Sequence, residues 1–190
     1  MRFLECNVRG IILLLISAFV LSCQVPVRGT GEEERATQQH HNHVTLSHLE
    51  GLLGVWEQAD DKGNSTGEVI TEFRSTAGGA AIVEIIFPGQ PHEMVTLYYT
   101  SPEGLFMTHY CAVGNHPNLA ASIDKATGDL LFRCMGAGAN FHACASTNHM
   151  HDVRYHLEGD HLTATWHSME DGKLGDDLVF SLVRRKSELP

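Results

Sequence analysis

From Val55 to Arg184 the chain is a succession of short extended runs, and the helical spacing of apolar residues is almost absent after Gly54. The runs fall at Val55–Gln58, Glu68–Arg74, Ala80–Phe87, Glu93–Thr100, Leu105–Ala112, Leu119–Ile123, Leu130–Met135, His149–Leu157, Leu162–Ser168 and Leu178–Arg184. They are rich in β-branched and aromatic residues. Turn signals separate them at Lys62-Gly63-Asn64, Gly78-Gly79, Ser101-Pro102-Glu103-Gly104, Thr127-Gly128-Asp129, Glu158-Gly159-Asp160 and Asp171-Gly172. Strands joined in this way form a meander, and an open sheet of that size leaves two edges of unpaired backbone groups. Closing it removes both edges. The expected fold is therefore all-β, an antiparallel up-and-down β-barrel of about ten strands, with a sandwich as the alternative. Only Thr45–Gly54 reads as a short helix, with Ser47 as a possible cap and Gly54 as its stop. The barrel domain is expected over residues 46–186, with 187–190 as a tail.

The first residues have a different character. Arg2 and Arg9 precede the apolar block Ile11–Leu21, which ends in Val20-Leu21-Ser22-Cys23. A positive start, an apolar stretch and a small residue before a cleavage point make residues 1–22 a signal peptide. The block is shorter than the roughly 20 apolar residues that a membrane span needs. Its end resembles the bacterial lipobox, which implies that Cys23 carries the lipid and becomes the mature N-terminus. Gln24 stands where an aspartate would favour retention at an inner membrane. The expectation is a lipid-anchored envelope protein, at the outer membrane if the host has one, with its globular domain in the periplasm or outside the cell.

Residues 23–45 carry no apolar periodicity and include Glu32-Glu33-Glu34 and Gln38-Gln39, so they read as a disordered tether. The His40-His41-His43 tract within it is polar filler or a weak metal scavenger. Removing residues 1–22 takes Arg2, Arg9 and Glu5 from totals of 13 basic and 23 acidic residues, leaving 11 and 22, a net charge of −11 with histidines neutral. Such a surface repels phosphate backbones and anionic lipid heads. Nucleic acid is excluded as a partner, and membrane attachment falls to the acyl chains on Cys23. All 13 histidines lie after residue 22, an abundance that needs a physical account.

The first strand opens with Gly54-Val55-Trp56 directly after the helical turn. This resembles the Gly-x-Trp start of the lipocalin and fatty-acid-binding superfamily, which implies that the tryptophan closes the barrel base. Phe87-Pro88-Gly89-Gln90-Pro91-His92-Glu93-Met94-Val95-Thr96, Thr108-His109-Tyr110-Cys111, Gly114-Asn115-His116-Pro117, His149-Met150-His151 and Asp160-His161-Leu162 before Trp166 add to it. Together, over most of residues 49–185, they resemble an uncharacterised lipocalin-like family of bacterial secreted proteins. The resemblance implies a fold and no established activity.

Side-chain alternation then assigns faces. The turn at Ser101–Gly104 pairs Thr100 with Leu105, hence Thr96 with His109 and Met94 with Cys111. His92, Met94, Thr96, Tyr98, Met107, His109 and Cys111 are expected to project to one side. The turn at Gly159-Asp160 pairs Leu157 with Leu162, placing His149, His151, Val153, Tyr155, Ala164 and Trp166 inward and Asp152, Arg154, His156, Thr163, Thr165 and His167 outward. His156, His161 and His167 are then surface histidines. Burying His92, His109, His149 and His151 in one small barrel demands a partner for each ring nitrogen, either a hydrogen bond or a ligand.

The leading functional reading is a binding protein, with His92, Met94, Tyr98, His109, Asn115 and Trp166 at a small-molecule site. The ligand class is an apolar molecule, a haem or a metal ion. A haem needs an axial histidine and a wide apolar pocket, for which Met94, Phe106, Met107 and the stretch Gly136–Ala145 leave room. For a metal the expected set is His109, Cys111, His149 and His151, with or without His92, and imidazole and thiolate suit zinc or copper. A metal-dependent enzyme is the rival class, because His149-x-His151 resembles the cupins. However, Glu158 falls in the turn, seven residues after His151, and no Gly-x-Ser-x-Gly, His-Glu-x-x-His or phosphate loop is present. A structural envelope protein without ligand is the third class. Of the cysteines, Cys134 and Cys144 are the expected disulfide, which would stabilise the chain by roughly 2 to 3 kcal/mol in the chain-entropy model.

Overall fold

Among the described residues eleven strands follow a 3-10 helix at Leu46–Leu52, with a further 3-10 turn at Ala77–Gly79 between the second and third: β1 (Gly54–Ala59), β2 (Ser65–Thr76), β3 (Ala81–Ile86), β4 (Met94–Ser101), β5 (Gly104–Tyr110), β6 (Asn118–Ile123), β7 (Leu130–Cys134), β8 (His149–Glu158), β9 (His161–Glu170), β10 (Lys173–Leu174) and β11 (Leu178–Arg184). They belong to a computed structural model that describes residues 44–135, 144 and 148–186. The expected signal peptide, Cys23, nearly all of the tether with its histidine tract, the stretch from Gly136 to Ala143 and the tail lie outside the described residues. Consecutive strands pair antiparallel from β1 to β9, and β11 inserts between β9 and β1. That insertion closes a barrel of ten strands, and β10 only extends the upper edge of β9. The barrel, rather than the sandwich, is the solution the meander takes.

The short helix expected at Thr45–Gly54 is a 3-10 helix over Leu46–Leu52. Its buried residues, Leu49 and Leu52, stand three apart, the spacing that a 3-10 turn stacks on one face. Thr45 rather than Ser47 is the cap residue, and the Thr45 N–H donates to His48 Nδ1 at 3.2 Å. Gly54 then takes φ +124°, a conformation other residues rarely adopt, and turns the chain into β1.

Trp56 seals the floor above this helix. Its indole Nε1 donates to the Leu52 carbonyl at 2.7 Å, and the Arg184 guanidinium lies 4.2 Å over the ring. The same guanidinium donates to the carbonyls of Gly51 and Leu53 and to Asp160, so the end of β11 is tied to the helix C-terminus. Above the floor the lumen is filled by Phe73, Tyr98, Met107, Leu119, Phe132 and Tyr155. A void between Thr71, Glu84, Tyr155 and Trp166 is about 10 Å³. That is the scale of a single water.

The registers set by the two turns are those expected: Thr96 opposes His109, and Leu157 opposes Leu162. One irregularity matters. Between β8 and β9, Met150 pairs with Ser168 while Asp152 pairs with His167, which leaves His151 as an extra residue in a β-bulge.

Candidate functional site

Polar groups gather at two levels of the barrel. The deeper one is centred on Glu84, whose position between Ile82 and Ile86 on β3 points it inward with them; it is 2% exposed. Tyr98 donates to Glu84 at 2.6 Å, Thr71 at 2.9 Å and Tyr155 at 3.3 Å, and the two tyrosine hydroxyls are 2.8 Å apart. Burial lifts the Glu84 pKa to about 7, against the hydrogen bonds from Tyr98, Thr71, Tyr155 and Thr96, which favour the carboxylate. Burial likewise pushes both tyrosines well above their usual range. Sequence reasoning singled out Tyr98 but missed Glu84 and its role, although an acid at the inward parity of an apolar strand was a readable signal.

His109 continues this polar column toward the mouth. It is fully buried, its Nδ1 lies 2.9 Å from the Thr96 hydroxyl, and its ring centre is 5.4 Å from that of Trp166. Its Nε2 has no hydrogen-bond partner among the described residues. Burial alone lowers its pKa to about 4, so the ring is neutral at physiological pH.

The other expected ligand residues are placed as follows. Tyr98 and Trp166 are buried, and Met94 is half-buried against the core. Asn115 sits in the β5–β6 connection, where its Nδ2 donates to the Asn148 carbonyl at 2.7 Å. His92 does not face inward: it is exposed in the connection before β4, its ring tilted against Phe87 with centroids 4.6 Å apart. Alternation could not reach it because β4 begins only at Met94. The void beside Glu84 and Trp166, about 10 Å³, falls far below the roughly 300–1,000 Å³ of ordinary ligand pockets, and the stretch Gly136–Ala145 expected to leave room for a haem lies, apart from Cys144, outside the described residues.

The expected metal set is only half assembled. Among the described residues the group with three ligand atoms mutually within 4.8 Å is Cys134, His149 and His151, without His109 or Cys111. Cys111 lies beyond the end of β5 at Tyr110, half-exposed, its N–H bound to the Asn115 carbonyl at 2.9 Å, so strand alternation no longer aims it. His109 has committed Nδ1 to Thr96. Cys134 enters through the β7–β8 register: Phe132 opposes Val153 and Arg133 opposes Asp152, which brings Cys134 level with His151.

His149 is 5% exposed and His151 half-buried, and His149 Nε2 lies 3.3 Å from His151 Nδ1. Burial is the main influence lowering the His151 pKa. Two imidazoles bound to one tetrahedral zinc at about 2.0–2.1 Å hold their nitrogens about 3.3–3.4 Å apart, so the observed separation fits chelation as well as a hydrogen bond. Cys134 is joined to Cys144 in a disulfide, with Cα atoms 5.8 Å apart.

Two histidines assigned to the outer surface have strong partners there. His167 bridges Asp152 at 2.5 Å and Asp177 at 2.8 Å, and His156 meets Asp129 at 2.6 Å; these carboxylates raise both pKa values. Arg154 shares Asp129, at 2.7 Å. These contacts tie strands together on the solvent side.

No protein-family model and no curated protein matches the chain, so its chemistry rests on its own residues.

Proposed function

We propose that this is an exported, lipid-anchored envelope protein, of lipocalin-like kinship, whose barrel mouth binds a small ligand, and that the ligand is a transition-metal ion held by His149 and His151. The observation that carries the reading is the pair of imidazole nitrogens 3.3 Å apart at the start of β8; Cys134 Sγ, within 4.8 Å, is held in the disulfide with Cys144. The filled lumen supports it, because a void of about 10 Å³ leaves the rim rather than the interior as the place for a ligand. Nitrogen donors favour zinc and copper over calcium and magnesium. The N-terminal sequence supports membrane attachment through acyl chains on Cys23, and the acidic composition argues against nucleic acid as a partner.

The test is calorimetric titration of zinc and copper into the chain beginning at Gln24, with His40, His41 and His43 replaced by serine to remove the competing tract. Binding tighter than that of free imidazole, lost in the His149→Ala/His151→Ala variant, supports the reading. Binding no tighter than free imidazole, or unchanged in that variant, rejects it.

A further inference from the structure

We infer that the Cys134–Cys144 disulfide is a redox gate on this mouth: reduction converts a two-imidazole pair into a Cys134–His149–His151 metal site. The inference rests on the proposed reading of the mouth and adds its regulation. A disulfide sulfur is a poor ligand, whereas the thiolate is the form of cysteine that binds metal. In the structure Cys134 Sγ is therefore in position but chemically masked by Cys144. A zinc ion with one sulfur at about 2.3 Å and nitrogens at about 2.0–2.1 Å separates sulfur from nitrogen by about 3.6 Å. Ligand atoms already within 4.8 Å need only a small adjustment to reach that spacing. Three protein donors with a fourth position left open is the coordination of an ion that still exchanges or takes a small ligand.

The chemistry balances with a dithiol as reductant. Its two thiols become a disulfide, giving up two electrons and two protons, and the Cys134–Cys144 sulfur–sulfur bond takes them up to become two thiols. The Cys134 thiol then releases its proton to solvent as Sγ bonds the ion, and Cys144 remains a free thiol. Reoxidation reverses the sequence and withdraws the sulfur, leaving the ion to the weaker two-imidazole pair. The site would thus hold its ion tightly under reducing conditions and more weakly, through His149 and His151 alone, when the envelope is oxidising.

Zinc affinity is measured by competition with a chromophoric chelator, in the chain from Gln24 with His40, His41, His43 and the free thiol Cys111 changed to serine, before and after anaerobic reduction by a dithiol. Reduction should tighten binding on the order of 100-fold. Cys144→Ser should show the tight value without reductant, and Cys134→Ser should stay at the weak value in both states. Cobalt as the probe should give a thiolate-to-metal charge-transfer band in the reduced and Cys144→Ser chains and none in the oxidised chain. Equal affinity in both redox states, with binding still lost in His149→Ala/His151→Ala, overturns the gate and leaves the imidazole site standing. An equal gain on reduction in His149→Ala/His151→Ala also overturns it, because the thiols would then bind elsewhere. Binding no tighter than free imidazole in every state removes both the gate and the proposed function.

Discussion

Tyr98 donates a 2.6 Å hydrogen bond to Glu84 in the middle of the barrel, and His109, two residue pairs nearer the mouth, keeps its ring neutral beside Thr96. These two buried groups act on stability in opposite directions. Glu84, with its pKa raised to about 7, binds a proton more readily folded than unfolded, so its contribution is full below about pH 4.5 and is lost as pH rises through 7. His109, lowered to about 4, contributes above pH 6.5 and loses that contribution as pH falls toward 4. In the overlap the two slopes offset one another. Denaturant unfolding from pH 4.5 to 7, compared between wild type and single variants, isolates each group's slope from those of His151, His156 and His167. Glu84→Gln should leave stability falling toward acid and His109→Gln should leave it falling toward neutral, each by about 3 kcal/mol across its window. Unchanged slopes in both variants would remove these groups from the acid–base behaviour of the fold.

Trp56 is fully buried and joins the helix to β1 through its bond to Leu52, with Arg184 on its face. Trp56→Ala should lower unfolding free energy by about 3–5 kcal/mol. Arg184→Ala should cost less, about 1–3 kcal/mol, because it strips charged donors from the Gly51 and Leu53 carbonyls. Urea midpoints measure both, and an Arg184→Ala loss equal to that of Trp56→Ala would contradict the ranking.

Among the described residues Cys134 and Cys144 are bonded and Cys111 is free. The chain from Gln24, unfolded without reductant, should therefore present one reactive thiol, and three after reduction. Three before reduction would dissolve the bridge and the gate with it.

Lipidation is tested at Cys23. Cys23→Ser should yield a chain that leaves the detergent phase and the membrane fraction, and a variant that stays membrane-bound would contradict the anchor.

The barrel was legible because its signals are local. Ser101–Gly104 and Gly159-Asp160 fix the registers that set Thr96 against His109 and Leu157 against Leu162, and alternation then aims Tyr98, His109 and Trp166 inward. The candidate site was legible only in part, since it depends on where strands stop and slip. β4 starts after His92 and β5 stops before Cys111, and the bulge at His151 breaks the alternation that the sequence pattern assumes. Cys134 reaches the histidines through the β7–β8 pairing, a long-range register that no hairpin turn announces. The filling of the lumen depends on summed side-chain volumes, which an apolar pattern does not report.

The central claim is that His149 and His151 hold a transition-metal ion at the barrel mouth. Anomalous diffraction at the zinc edge, from crystals of the dithiol-reduced chain grown with one equivalent of zinc, tests it most directly. A single peak about 2.0–2.1 Å from both His149 Nε2 and His151 Nδ1 and about 2.3 Å from Cys134 Sγ is the expected result. A peak at other residues with none between these two rings would contradict it.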